Sequence, residues 1–216
     1  VTWDWSAVAD FMPRFWDGLL VTLQVLVLGS LISFTLGLVW AAGFRAPSRF
    51  VRWPVHVVTE FIRNTPLLVQ LFFLFFVLPE WGVQFSALTT GTLAIGLHYS
   101  TYTAQVYRAG IDAVPVGQWE AATALSLPAH RTWFAVIMPQ ALRRIAPALG
   151  NYVIAMLKDT PLLAGISVLE LLQQSRLESA STFQYTEPLT VVGVAFVLIA
   201  YPASLFVRSL ERRLVK

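Results

Sequence analysis

Arg63, Lys158 and Asp159 stand deep inside long apolar runs of this 216-residue chain, and any chemistry in it starts with them. Arg63 interrupts VVTEFIRNTPLLVQLFFLFFVLP, and Lys158 and Asp159 interrupt ALGNYVIAMLKDTPLLAGISVLELL. A charge at bilayer depth costs about 2.5–3.5 kcal/mol on insertion scales, so each needs a partner or a task. Counted inward from the expected cytoplasmic face, both sites lie about 10 residues deep, about 15 Å at the rise of a helix. His98, Tyr99, Ser100 and Tyr102 in a neighbouring run reach a similar level. Two readings stay open: a polar lining for a solute, or an internal ion pair, Arg63 with Glu60 or with Asp159, that holds a bundle together.

The two runs also share a word, NTPLL at 64–68 and DTPLL at 159–163. Each proline lacks an N–H and frees the carbonyl four residues earlier, at Ile62 and Leu157. Broken helices that turn backbone toward a solute recur in membrane proteins; chance repetition of a short apolar word is the alternative. Other chemistry is not supported. The three histidines, His56, His98 and His130, show no metal-ligand spacing, so no metal site is expected. His98 reads as a hydrogen-bonding packer. No serine–histidine pair, zinc-binding histidine pair or paired aspartates at depth suggests an intramembrane enzyme. No G-x-x-x-x-G-K-[ST] phosphate loop is present.

These residues must be held by membrane-spanning helices. Charged residues are 12% of the chain, and its mean hydropathy is +0.65. A soluble domain usually carries about 25%. Five apolar runs, about 19–43, 57–79, 88–109, 148–172 and 189–208, approach the length that crosses a bilayer. Their polarity does not alternate, which excludes barrel strands. The expectation is an all-α membrane protein, one transmembrane domain over 1–216 with five helices. Cysteines are absent, so disulfides and thiolate sites are excluded. No cleavable signal peptide is expected in the aromatic, mildly acidic amino-terminal stretch.

The basic residues sort by side. Arg45, Arg49, Arg52, Arg108, Arg131, Arg143, Arg144, Arg208, Arg212, Arg213 and Lys216, eleven of fifteen, fall on one side, against Arg14 and Arg176 on the other. The bias predicts an outside amino terminus and a cytoplasmic carboxyl terminus. It also accounts for the net charge of +3 without nucleic acid. Trp3, Trp5, Trp16, Trp40, Trp53 and Trp81 are expected at membrane interfaces. Glu170, Glu178 and Glu187 near the outer side read as solvated loop charge, with contact to an external protein as the alternative.

The longest cytoplasmic loop, about 110–147, is more than a connector. Residues 117–127 hold good helix formers, Glu120, Ala121, Ala122, Ala124 and Leu125. Pro128 suits the first turn of a second helix. Trp133, Phe134 and Ile137 give that helix an apolar side, and Pro139 is expected to end or kink it. The loop thus predicts two helices under the membrane. The first offers small side chains and one carboxylate to a cytosolic partner, or the pair only caps the bundle.

EAATALSL followed by IMPQALRRIAPALGN resembles the EAA loop of permease subunits of ATP-binding cassette importers. Glu120, Ala121 and Ala122 match its opening, Pro139, Gln140 and Ala141 its later block, and Pro147 and Asn151 its tail. Ser126 stands where that family usually has Gly, and Met138 where Leu is common. EFIRNTPLLVQLFF, YTAQVYRAGIDAVPVGQWEAA and LKDTPLLAGISVLEL are similar to the polar amino acid branch, with Asn64 replacing a usual Gly and Gln105 a frequent Glu.

The resemblance implies a type I importer (MetI-like) transmembrane domain with a cytoplasmic coupling helix, in the bacterial inner membrane. Glu120 would be the charged contact to the ATPase, and Ala121, Ala122 and Ser126 the close-packing positions. Partners would be two ATPase subunits, which bind the ATP and Mg²⁺, a second permease, identical or paralogous, and a periplasmic or lipid-anchored solute-binding protein. This chain would have no cofactor and no ATPase activity of its own. For a polar amino acid, Asp159 would face the ammonium group and Arg63 the carboxylate, with Asn64, Thr65, Thr160 and Tyr99 as neutral partners. Import of a compatible solute such as ectoine stands as an alternative, and a passive channel or scaffold as one from another class.

Overall fold

The computed structural model describes residues 3–214, which form helices joined by turns. Lys216, counted above among the basic residues, lies outside the described residues. Helix α1 runs Trp5–Phe44. Asp4 caps it by accepting from the Ser6 N–H at 2.8 Å, which satisfies one of the orphan donors of a helix start. The Ser6 hydroxyl and N–H hold the Asp4 carboxyl below its ordinary pKa. At about 60 Å, α1 is roughly twice the hydrocarbon thickness. It therefore begins well before the expected span at residue 19.

The second apolar run does not form one helix. Helix α2, Arg49–Asn64, and α3, Leu67–Phe72, are separated at Thr65–Pro66. The chain continues from α3 as a π turn, Phe73–Val77, and a 3-10 turn, Leu78–Trp81. The two arms meet at 103°. Helix α4 follows, Ala87–Asp112. It is packed against α1, α2, α3 and α7, and α1 lies along it more extensively than any other two elements meet. Gly96 permits that approach, since a Cβ there would stand 2.6 Å from Ile32.

Helix α5 is Val116–Ala124. The next helical stretch is continuous through three geometries: α6, Ala129–Arg131, a π turn, Thr132–Ile137, and α7, Met138–Asp159. Pro139 was expected to end or kink a loop helix here. Instead the helix continues, because the wider π turn just before Pro139 accommodates the missing N–H and the ring. Pro79 is preceded by a π turn in the same way. After Asp159 the chain tightens to a 3-10 helix, Thr160–Ile166. Helix α8, Leu171–Thr182, and α9, Thr186–Leu214, complete the bundle.

Among the described residues, α1 and α9 are long and apolar enough to cross a bilayer alone. Two bent pairs qualify only jointly, Arg49–Asn64 with Leu67–Trp81, and Ala129–Ile166 with Leu171–Thr182, the latter bent by 46°. Length and apolarity therefore do not by themselves return five spans. Helix α4 fails on apolarity although its 26 residues suffice in length. The reason is its central place: its hydroxyls bond inside the protein rather than facing lipid. Thr103 donates to the Ser33 carbonyl at 2.9 Å, and Trp40 Nε1 donates to Ser100 at 2.9 Å. Trp40 thus turns its indole N–H into the bundle.

Candidate functional site

The intramembrane polar residues gather where the α2–α3 break, the middle of α4 and the end of α7 meet. Tyr99 on α4 donates to Asp159 at 2.6 Å. Tyr102 donates to the Arg63 carbonyl at 3.3 Å. Tyr152 on α7 completes a group of three phenols, its ring 6.1 Å from Tyr99 and 5.7 Å from Tyr102. His98 stands 5.5 Å from the Tyr99 ring and 5.4 Å from that of Tyr102. Phenol faces carry negative electrostatic potential, so a cluster beside a carboxylate suits a cation.

The expected residues do not all converge. Arg63 pairs with Glu60 one turn back on α2, and not with Asp159. The internal-pair reading is thus met in its Glu60 form, and both side chains remain about a third exposed, 32% each. Asn64 donates to the Glu60 carbonyl and carboxylate at 2.8 and 3.1 Å. Thr65 donates to the Phe61 carbonyl, and Thr160 to the Leu157 carbonyl at 2.8 Å. These three neutral groups donate within their own helices. Lys158 is exposed, and Asp159 is half-buried.

The repeated proline word has two different outcomes. At Pro66 the helix breaks outright, whereas at Pro161 it only tightens into the 3-10 helix. Neither freed carbonyl is left open. The Leu157 carbonyl accepts from the Thr160 hydroxyl, and the Ile62 carbonyl accepts from Gln70 Nε2 at 2.7 Å. Gln70 was not singled out from sequence, although a polar residue four positions after a helix-breaking proline is a visible signal.

Helix α5 is anchored on one face and bare on the other. Trp119 meets Trp133 edge-to-face at 5.2 Å. Ala122 is buried, at 3% exposure, and Gln140 donates to Gln118 at 3.0 Å. Arg144 donates to the Ala113 carbonyl just before α5. Glu120, Ala121, Leu125 and Ser126 face outward, and Ala122 does not. Trp133 and Ile137 pack inward, but Phe134 is 76% exposed, so the expected three-residue apolar side is split. The π turn shifts the phase between them.

Helix α5 ends in a Schellman motif. The Leu127 N–H bonds the Ala122 carbonyl at 3.0 Å and the Ser126 N–H the Thr123 carbonyl at 2.9 Å. Ser126 takes φ of 50°, the left-handed region that glycine enters most easily. Serine holds this turn without breaking it.

Glu170, Glu178 and Glu187, read from sequence as solvated loop charge, are buried, which corrects that reading. Glu170 is fully buried and accepts from the N–H groups of Leu172 and Gln173 at the start of α8. Glu178 pairs with Arg14 at 3.1 Å. Glu187 accepts from the Asp4 N–H at 3.1 Å. Burial of these carboxylates follows from helix ends and a partner that the tertiary structure brings near.

Comparison with known proteins places this arrangement. Residues 33–216 match the family described as binding-protein-dependent transport system inner membrane component. A chain of Sinorhizobium fredii named "Probable amino-acid ABC transporter permease protein" is 43% identical, covering all of this chain and 95% of its own. An arginine transport system permease protein of Bacillus subtilis is 30% identical, over 98% of this chain and 97% of its own. A crystal structure of an amino acid ABC transporter with histidines superposes with a TM-score of 0.90 at 33% identity, over 99% of this chain and all of that one.

Proposed function

The chain belongs to the binding-protein-dependent transport system inner membrane component family, and from that premise we propose that it is the permease subunit of an ATP-driven importer for a polar amino acid or a similar small zwitterion. Relatives named for amino-acid and arginine transport support the substrate class, as does the amino acid transporter of known structure. The permease crosses the bacterial inner membrane five times, through α1, the broken α2–α3 pair, α4, α7 with its 3-10 extension, and α9. Its amino terminus is outside and its carboxyl terminus cytoplasmic, as the basic-residue bias requires.

The bare face of α5 is the observation that carries the coupling role. Glu120, Ala121, Leu125 and Ser126 are exposed on a helix whose other face is fastened to α7. One of two ATPase subunits, which hold the ATP and Mg²⁺, docks there: Glu120 makes the charged contact, and Ala121 and Ser126 allow close approach. Ala122 serves the same joint from its buried side. A second permease and an external solute-binding protein complete the assembly.

Motion enters at α5 and leaves at the polar cluster. The continuous stretch from Ala129 to Asp159 is about 46 Å long, so a push at its cytoplasmic end reaches Asp159 without crossing a loop. Alternating access follows as α7 moves Asp159 against Tyr99 on α4. In this path Asp159 faces the ammonium group of the solute, with the Tyr99, Tyr102 and Tyr152 rings around it. Arg63 faces the carboxylate, its charge shared with Glu60. Asn64 and Thr65 shape the break before Pro66, and Thr160 the tightened turn at Pro161. The test is Glu120→Arg. It should abolish uptake while membrane insertion and assembly of the bundle persist, and normal uptake by that variant would remove the coupling role.

A further inference from the structure

We infer that Gln70 is a positioning residue of the transport path: its side-chain amide splints the Thr65–Pro66 break and ties it to His98, whose Nδ1 carries no proton. This rests on the reading that the Arg63–Asp159 region lines the path.

The geometry leaves little choice. Gln70 Nε2 lies 2.7 Å from the Ile62 carbonyl, 2.9 Å from the Thr65 carbonyl and 3.0 Å from His98 Nδ1. Two carbonyl oxygens can only accept, so the amide cannot be flipped to place its own oxygen there. The NH₂ group has two hydrogens for three acceptors, so one N–H is shared, and His98 Nδ1 can face it only as an acceptor. His98 is therefore the neutral tautomer protonated on Nε2; the doubly protonated ring would set one donor against another.

The carbonyls held are those of residues 62 and 65, which bracket Arg63 and Asn64. One side chain thus sets the backbone of both. Tyr102 takes the carbonyl between them, that of Arg63, from the α4 side. Together these bonds fasten the elbow to α4 at two adjacent levels, His98 and Tyr102. The inner side of the elbow is an apolar cavity of about 300 Å³ bounded by Phe61, Val69, Phe73 and Leu97 beside Gln70. Its walls offer the Thr65 carbonyl no substitute donor. Around His98 stand Tyr99 and Tyr102 of its own helix; Asp159 of α7 is reached through Tyr99.

The test uses two variants and two readouts. Gln70→Leu removes the donor, and Gln70→Glu keeps the shape but points oxygens at both carbonyls. The full chain, ¹⁵N-labelled at histidine and held in nanodiscs, should show His98 protonated on Nε2 alone, with mixed tautomers in Gln70→Leu. In the assembled transporter, uptake of a radiolabelled mixture of the twenty amino acids should fall at least tenfold for both variants, about 1.4 kcal/mol. Gln70→Glu should be the worse. A proton on His98 Nδ1, or an unchanged histidine spectrum in Gln70→Leu, overturns the splint. A changed spectrum with unaltered uptake keeps the splint and instead removes Arg63–Asp159 from the transport path.

Discussion

Tyr99 and Asp159, sixty residues apart in sequence, share a hydrogen bond of 2.6 Å between the centre of α4 and the last residue of α7. It joins the most enclosed helix of the bundle to the end of the helix that begins beside α5. The pair therefore reports on movement of one helix relative to the other.

Asp159→Asn preserves this contact, because an amide oxygen still accepts from a phenol, but deletes the charge. Transport should change far more than stability. Uptake is expected to fall tenfold or more, with the unfolding midpoint within about 4 °C of the parent, the shift that about 1 kcal/mol causes at this size. Parallel uptake and thermal-unfolding measurements decide. Unchanged kinetics would return Asp159 to a structural role.

Ser126 tests the turn after α5. Its left-handed φ costs an L-residue about 1–2 kcal/mol, part of which glycine recovers. Ser126→Gly should stabilise the turn by about 0.5–1 kcal/mol, and Ser126→Val, β-branched, should loosen it. Hydrogen exchange at the Leu127 amide, which closes the Schellman motif, should slow in the first variant and quicken in the second.

Trp133→Ala removes the edge-to-face partner of Trp119 and frees α5 from the π turn. Such a pair contributes about 0.5–1.5 kcal/mol beyond its buried area. The expected phenotype is uncoupling: ATP hydrolysis by the assembled complex continues while uptake drops. Equal loss of both would point to misfolding instead, and retention of both would deny the joint its role.

The buried glutamates should behave as structural groups. Glu187→Gln keeps an acceptor for the Asp4 N–H and should leave stability and uptake near the parent values. Glu187→Ala leaves that donor without its acceptor and should cost about 1 kcal/mol. Affinity for an external binding protein should not move in either, which a titration of the reconstituted complex would show.

Much of the architecture is legible in residue order because bilayer physics acts on local composition. The runs that become α1 and α9 are continuous and apolar, and no tertiary contact is needed to see them. The EAATALSL stretch announces a short helix through propensity, whereas the left-handed turn at Ser126 is seen only in the structure. The Pro139 expectation failed because propensity describes α-helices, while a π turn is a tertiary compromise that absorbs a proline. The phase of Trp133 and Phe134 slipped for the same reason.

The sequence by itself determined that this is a helical membrane protein, how its basic residues sort between loops, and where a short loop helix lies. Each of those follows from the transfer cost of side chains taken a few at a time. Only the tertiary structure decided that Arg63 answers Glu60, that Asp159 answers Tyr99, and that two prolines in the same word yield a sharp elbow at one site and a tightened turn at the other. Partners for a buried polar group come from whichever helix packs beside it, and packing is settled by the whole bundle at once.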